Sequence, residues 1–265
     1  MPESGYAQLD DVAIYWERRG QGGTPLLVAH GGFHTIEPYA GTLDQLSEHR
    51  AVYAVELQGH GHTADTGRPF SQEAFGDDLA GVIRALDLGP TDLVGYSLGA
   101  GASLRCAIQH PECVRRLTVL SFPYCRDGWF PEVRAAFDQM GRAGFEQMRQ
   151  SPLYDAYVAV APDPEAFPGL MDHMGEMMRR PYDWADEVKG LAVPVLLAFA
   201  DADSVPPAHA AEFYALLGGG LRDAGWDGTV HRAPSRLAII PNATHYDVFW
   251  NPAFQAALAQ FVAEP

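Results

Sequence analysis

Short apolar runs alternate along the chain with longer stretches in which apolar positions recur every three to four residues. The first spacing fits strands buried on both faces, and the second fits amphipathic helices. "AQLDDVAIYWERRG" predicts an opening pair of strands, antiparallel because a short connection joins them. "TPLLVAHGG" reads as a buried strand ending in glycines, "PYAGTLDQLSEH" as a helix and "AVYAVEL" as the next strand. "SQEAFGDDLAGVIRALDL" predicts a long amphipathic helix with Ser71 as its N-cap. The strand "DLVGYS", the helix "LGAGASLRCAIQH", which Pro111 stops, and the strand "VRRLTVLSF" follow.

The pattern changes between about Pro123 and Val188, where no clear strand occurs. Helical stretches replace it, "PEVRAAFDQMGRAGFEQMRQ" and "GLMDHMGEMMRR", with aromatics and prolines between them. Alternation returns with the strand "VPVLLAFA", the helix "PAHAAEFYALL", the strand "SRLAIIP" and the helix "PAFQAALAQFVAE". This order predicts an α/β fold, a mostly parallel central sheet flanked by helices. Residues 1–122 and 189–265 would form the core, and 123–188 a helical cap. The stretch 218–235 is longer than most structureless connections.

The 265 residues are 47% apolar, enough for a sizeable core in one domain. A net charge of −16 with Lys189 as the sole lysine argues against nucleic acid as a partner. The start of the chain has neither a basic stretch nor an apolar h-region, and no apolar run approaches the ~20 residues that span a bilayer. Cys106, Cys113 and Cys125 form no C-x-x-C pair and read as reduced packing residues. A cytoplasmic protein with no membrane partner is the expectation, and a homodimer is left open.

In a parallel sheet, ligand-binding residues gather at the carboxyl ends of strands. "VGYSLG" sets Ser97 on a sharp strand-to-helix turn, with Gly95 and Gly99 where the two elements pack closely. An ordinary turn with a capping serine would read the same way. "LVAHGGF" offers close-approaching backbone amides at Gly32 or Phe33, and Leu98 a second amide, for an oxyanion. His30 is expected to hold this loop in shape. "FADADSVPP" presents Asp201 and Asp203 as the acid that orients a histidine. "IPNATHYDVF" supplies His245, a residue type whose imidazole titrates near ~6.5 in water and suits general-base work. The chain order is Ser, Asp, His.

With these motifs the chain resembles the α/β-hydrolase superfamily, specifically its capped serine esterases, over about residues 12–122 and 190–263. "HGGF" is similar to the oxyanion loop and "GYSLGA" to the nucleophile elbow. "ELQGHGHT" resembles the loop D-x-x-G-H-G-x-S, with Glu56 and Thr63 as departures. The resemblance favours Asp203 over Asp201, through Val205 and Pro206/Pro207 in the pattern around the acid. Some relatives carry the acid one strand earlier, but there this chain reads "VLSFPY", without a carboxylate. It implies a Ser97–His245–Asp203 triad forming an acyl-enzyme, and no cofactor or metal. Relatives that open epoxides or remove halides need a carboxylate where Ser97 stands.

A small-molecule ester is the implied substrate. Cleavage of a C–C bond, peracid synthesis, or a receptor without turnover are the competing readings. His34, Tyr96, Tyr124 and Trp129 are the candidate substrate contacts. Met171, Met174 and Met178 share one helical face, read first as packing between cap and core. Asp223, Asp227 and His231 are too loosely spaced to be read as a metal site.

Overall fold

The computed structural model describes residues 2–228, 230 and 232–263. Among them, strands β1 (Glu3–Gln8), β2 (Ala13–Arg19), β3 (Leu26–Ala29), β4 (Val52–Val55), β5 (Thr91–Tyr96), β6 (Val114–Leu120), β7 (Val195–Ala202) and β8 (Arg236–Thr244) form one sheet. Their spatial order is β1-β2-β4-β3-β5-β6-β7-β8. The first two strands form an antiparallel pair, β2 runs antiparallel to β4, and every later pairing is parallel.

Helices α1 (Ala40–Leu46), α2 (Gln72–Ala85) and α3 (Leu98–Gln109) lie in the first part of the chain. Between β6 and β7 come α4 (Pro131–Asp138), α5 (Phe145–Met148), α6 (Pro152–Val160), α7 (Phe167–Arg179) and α8 (Ala185–Lys189). Helices α9 (Pro207–Leu216) and α10 (Pro252–Ala263) complete the order.

Strand alternation explains why β3, β5 and β7 read as continuous apolar runs. Leu27, Leu93 and Leu197 enter one core with Phe75 and Leu79 of α2, Leu104 of α3 and Phe213 of α9. Their neighbours Leu26, Val28, Val94 and Ala198 enter a second core with Leu43 of α1 and Phe254 and Leu258 of α10. Both faces are covered, so no polar alternation survives. Full burial of each such large side chain contributes roughly 1.5–3 kcal/mol.

Ser71 caps α2 as its sequence predicts, accepting the Ala74 amide at 3.0 Å. The helix expected over 131–150 is instead broken into α4, a short 3-10 turn and α5. Gly141 leaves the helical region at φ +157°, and the next amide, Arg142, donates to Asp172 Oδ1 of α7 at 2.7 Å. A contact to another helix thus replaces an intrahelical hydrogen bond. Cys106, Cys113 and Cys125 are free thiols. No helix among the described residues is long and apolar enough to cross a membrane.

Candidate active site

The turn from β5 into α3 is too tight for side chains at its flanks. A Cβ on Gly95 would sit 2.2 Å from the Gly99 carbonyl oxygen, and one on Gly99 would sit 2.3 Å from that of Ala29. Ser97, between them, has φ +52° and ψ −115°, a conformation that costs about 1–3 kcal/mol and persists because its surroundings enforce it. Its amide donates to Leu120 O of β6 at 2.9 Å, and the Gly99 amide donates to His30 O at 3.0 Å. The serine therefore stands at the carboxyl end of the sheet, tied to both neighbouring strands.

Ser97 Oγ lies 3.0 Å from Nε2 of His245, and Nδ1 of the same ring lies 2.9 Å from Asp203 Oδ1. The Asp203 side chain is fully buried, yet each of its oxygens is satisfied. Oδ1 also accepts the Ser204 amide at 2.7 Å, while Oδ2 accepts Ser121 Oγ at 2.5 Å and the Ala200 amide at 2.9 Å. Burial alone would raise this carboxyl's pKa. The hydrogen bond and charge of His245, with donation from Ser121 and Ala200, outweigh it and hold the group below its ordinary value. An ionised carboxylate on Nδ1 keeps that proton in place and leaves Nε2 to accept from Ser97. Tyr96 donates its hydroxyl to the His245 carbonyl at 2.5 Å, fixing the loop that bears the ring.

Asp201 has a different environment. It is exposed and accepts the Asn242 and Ala243 amides at 3.0 and 3.1 Å, tying β7 to β8, with its carboxyl held low by those two donors.

Gly32, Phe33 and Leu98 line the same cavity as Ser97. Phe33 adopts φ +62°, and among the described residues the amides of these three have no backbone acceptor. Leu98 opens α3, so its amide belongs to the positive end of that helix. His30 accepts the Leu57 amide on Nε2 at 3.1 Å, so Nδ1 carries the proton and faces Gly31 O at 2.7 Å. Burial first, then neighbouring His60, lowers its pKa to about 3, and the ring is a neutral brace for this loop. Glu56 is a second brace, accepting Ile36 N at 2.9 Å and His62 N at 2.6 Å. The departure at this position thus links the 56–63 loop to the chain beside the oxyanion candidates.

The cavity over Ser97 has a volume of about 280 Å³ and is walled by side chains from the helical insertion. His34, Tyr96 and Trp129 line it, the last edge-on to His245 at 5.8 Å between centroids. Tyr124 does not. Its ring stacks on His209 of α9 at 4.3 Å and meets Phe213 edge-on, because the chain after β6 turns it toward that helix. Met174 and Met178 reach the cavity, whereas Met171 is buried in the core, so the methionine face is shared between packing and lining. The sequence reading missed Ser121, Ser204 and Tyr246. Ser121 carries the one usable signal, a hydroxyl at a strand end beside the strand that leads into Ser97. Of the loosely spaced acidic and histidine trio in 218–235, His231 lies outside the described residues.

The family model for the alpha/beta hydrolase fold matches residues 24–218. The chain belongs to this family. A relative similar along nearly its whole length is the pimeloyl-[acyl-carrier protein] methyl ester esterase of Pectobacterium carotovorum subsp. carotovorum (strain PC1), 25% identical over 90% of this chain and 96% of the relative. A more local match is the 2-hydroxymuconate semialdehyde hydrolase of Pseudomonas sp. (strain CF600), 34% identical over 38% of this chain and 39% of that protein. The crystal structure of an E-2-(acetamidomethylene)succinate hydrolase superposes over 100% of both chains with a TM-score of 0.75 at 20% identity, a likeness of fold.

Proposed function

We propose that this α/β hydrolase is a serine hydrolase that cleaves carboxylic esters through an acyl-enzyme. The observation that carries the reading is the continuous array from Ser97 through His245 to Asp203, at 3.0 and 2.9 Å, opening on a cavity.

In this mechanism Ser97 Oγ attacks the ester carbonyl as His245 Nε2 takes its proton. Asp203 stabilises the resulting imidazolium and holds its orientation. The oxyanion accepts hydrogen bonds from the Leu98 amide and from Gly32 or Phe33. Such a donor is worth about 10²–10³ in rate. Collapse of the tetrahedral adduct breaks the bond to the alkoxy oxygen, and His245 returns the proton to the leaving alcohol. Water, deprotonated by the same ring, then attacks the acyl-enzyme and releases the acid and free Ser97.

The full-length likeness to a methyl ester esterase supports ester cleavage. The local match to a semialdehyde hydrolase motivates C–C cleavage as a second reading, since the same array serves both chemistries. Side-by-side kcat/KM values on a short-chain p-nitrophenyl ester and a vinylogous diketone separate them. The ester is expected to be the better substrate, and folded Ser97→Ala to lose more than about 10³-fold on it. Wild-type rates in folded Ser97→Ala would refute the mechanism.

A further inference from the structure

We infer that the cavity beside Ser97 selects an uncharged ester with an apolar acyl group and rejects one whose acyl chain carries a carboxylate. This deepens the esterase reading and rests on it for the placement of the acyl group.

Among the described residues lining the cavity there is no arginine or lysine. Its lining from the insertion is apolar, with Val133 and Phe137 of α4, Met148 of α5 and Leu153 of α6. The insertion has six arginines, and each has another partner. Arg126 pairs with Asp138 at 2.6 Å, Arg134 with Asp127, Arg142 with Asp172, and Arg149 with Glu146 at 3.4 Å. Arg179 and Arg180 donate to the Met140 and Phe70 carbonyls at 2.9 and 3.1 Å. None of the six arginines lines the cavity.

The polar group contributed by the oxyanion loop is neutral as well. Tyr39 Oη accepts the Gly31 amide at 3.1 Å, and His34 Nδ1 is its other partner, at 2.5 Å. The Tyr39 O–H therefore donates to Nδ1, which accepts, and this leaves Nε2–H as the His34 donor. Burial, followed by the proximity of His30 and His245, lowers the His34 pKa to about 3, so no imidazolium forms there near neutrality. A neutral N–H can meet a carbonyl or ether oxygen but cannot offset the desolvation of a carboxylate. The chain's net charge of −16 adds an unfavourable field for an incoming anion. At about 280 Å³ the cavity lies just below the usual range of ligand sites, roughly 300–1,000 Å³, which suits a short or medium acyl chain.

The test compares p-nitrophenyl hexanoate with the mono-p-nitrophenyl ester of adipic acid. The two have the same six-carbon acyl backbone and differ in a terminal carboxylate. At neutral pH the hexanoate is expected to have a kcat/KM at least ~10²-fold higher, as desolvating an unpaired carboxylate demands. The corresponding methyl esters, titrated calorimetrically into Ser97→Ala, give a readout without turnover. The neutral ester is expected to bind at least tenfold more tightly. Equal or better turnover or binding of the anionic ester overturns the inference, as does binding of neither ester by folded Ser97→Ala. If wild type turns over neither ester while Ser97→Ala still discriminates, the esterase reading fails and the selectivity stands.

Discussion

Ser121 Oγ donates to Asp203 Oδ2 at 2.5 Å, a hydrogen bond from the end of β6 to the end of β7. Ser121 is fully buried, with φ +58°, and its amide donates to Ala198 O at 2.9 Å. A strained, buried serine thus helps hold the carboxylate that faces His245 without lining the cavity. In the proposed mechanism it is a positioning residue.

Ser121→Ala is therefore expected to lower kcat about tenfold with little change in KM, since a hydrogen bond to a charged group is worth about 1.5–3 kcal/mol. The pH profile distinguishes this role from simple packing. Loss of one donor lets burial raise the Asp203 carboxyl, and that shift is read in the pH dependence of stability. A depressed carboxyl adds stability above its unfolded pKa, ~3.9, and that stability is lost as pH falls through the folded value. The variant should lose stability at a higher pH than wild type. An acid-side stability profile unchanged from wild type would remove Ser121 from the account.

The elbow glycines and a helix glycine make a contrasting pair. Gly99→Ala drives a methyl group against the Ala29 backbone and should destabilise by more than about 2 kcal/mol. Gly169, in the first turn of α7, has nothing within 4 Å of an added Cβ. Gly169→Ala should stabilise by about 0.5 kcal/mol through backbone entropy. Urea unfolding of both variants checks the pair, and similar shifts in the two would contradict the close-approach argument.

His62 reports on the loop that resembles the superfamily's D-x-x-G-H-G-x-S motif. Its Nδ1 lies 2.9 Å from Glu56 Oε2 and its ring stacks on Tyr15 at 4.1 Å. The hydrogen bond to Glu56 raises its pKa against the opposing effect of burial. A raised histidine contributes stability that is fully present below its unfolded pKa, ~6.5, and is lost as pH rises through the folded value. The difference in Tm between wild type and His62→Asn should accordingly be largest at mildly acid pH and shrink on the alkaline side. A difference that grows with pH would reverse the assignment.

Much of this arrangement could be read from the chain because local rules and global packing agree. Continuous apolar strands, a capped α2 and glycines around Ser97 each reflect a constraint that acts within a few residues. The choice between Asp201 and Asp203 is less local. Pairing of β7 with β8 shifts register between Ala200 and Ala202, and this irregularity separates the environments of two carboxylates only two positions apart. The sequence does not show the direction of Tyr124, which depends on packing against α9, nor the contact of Ser121, whose partner is 82 residues away. The break near Gly141 likewise follows from α7, which supplies Asp172 as an acceptor.

The most direct test of the account is covalent labelling with an alkyl fluorophosphonate, followed by peptide mapping and residual esterase activity on the same sample. One adduct per chain on the Ser97 peptide is expected, with activity falling in proportion to occupancy and no adduct in folded Ser97→Ala. Full esterase activity in protein stoichiometrically labelled at Ser97, or labelling confined to another serine, would contradict it.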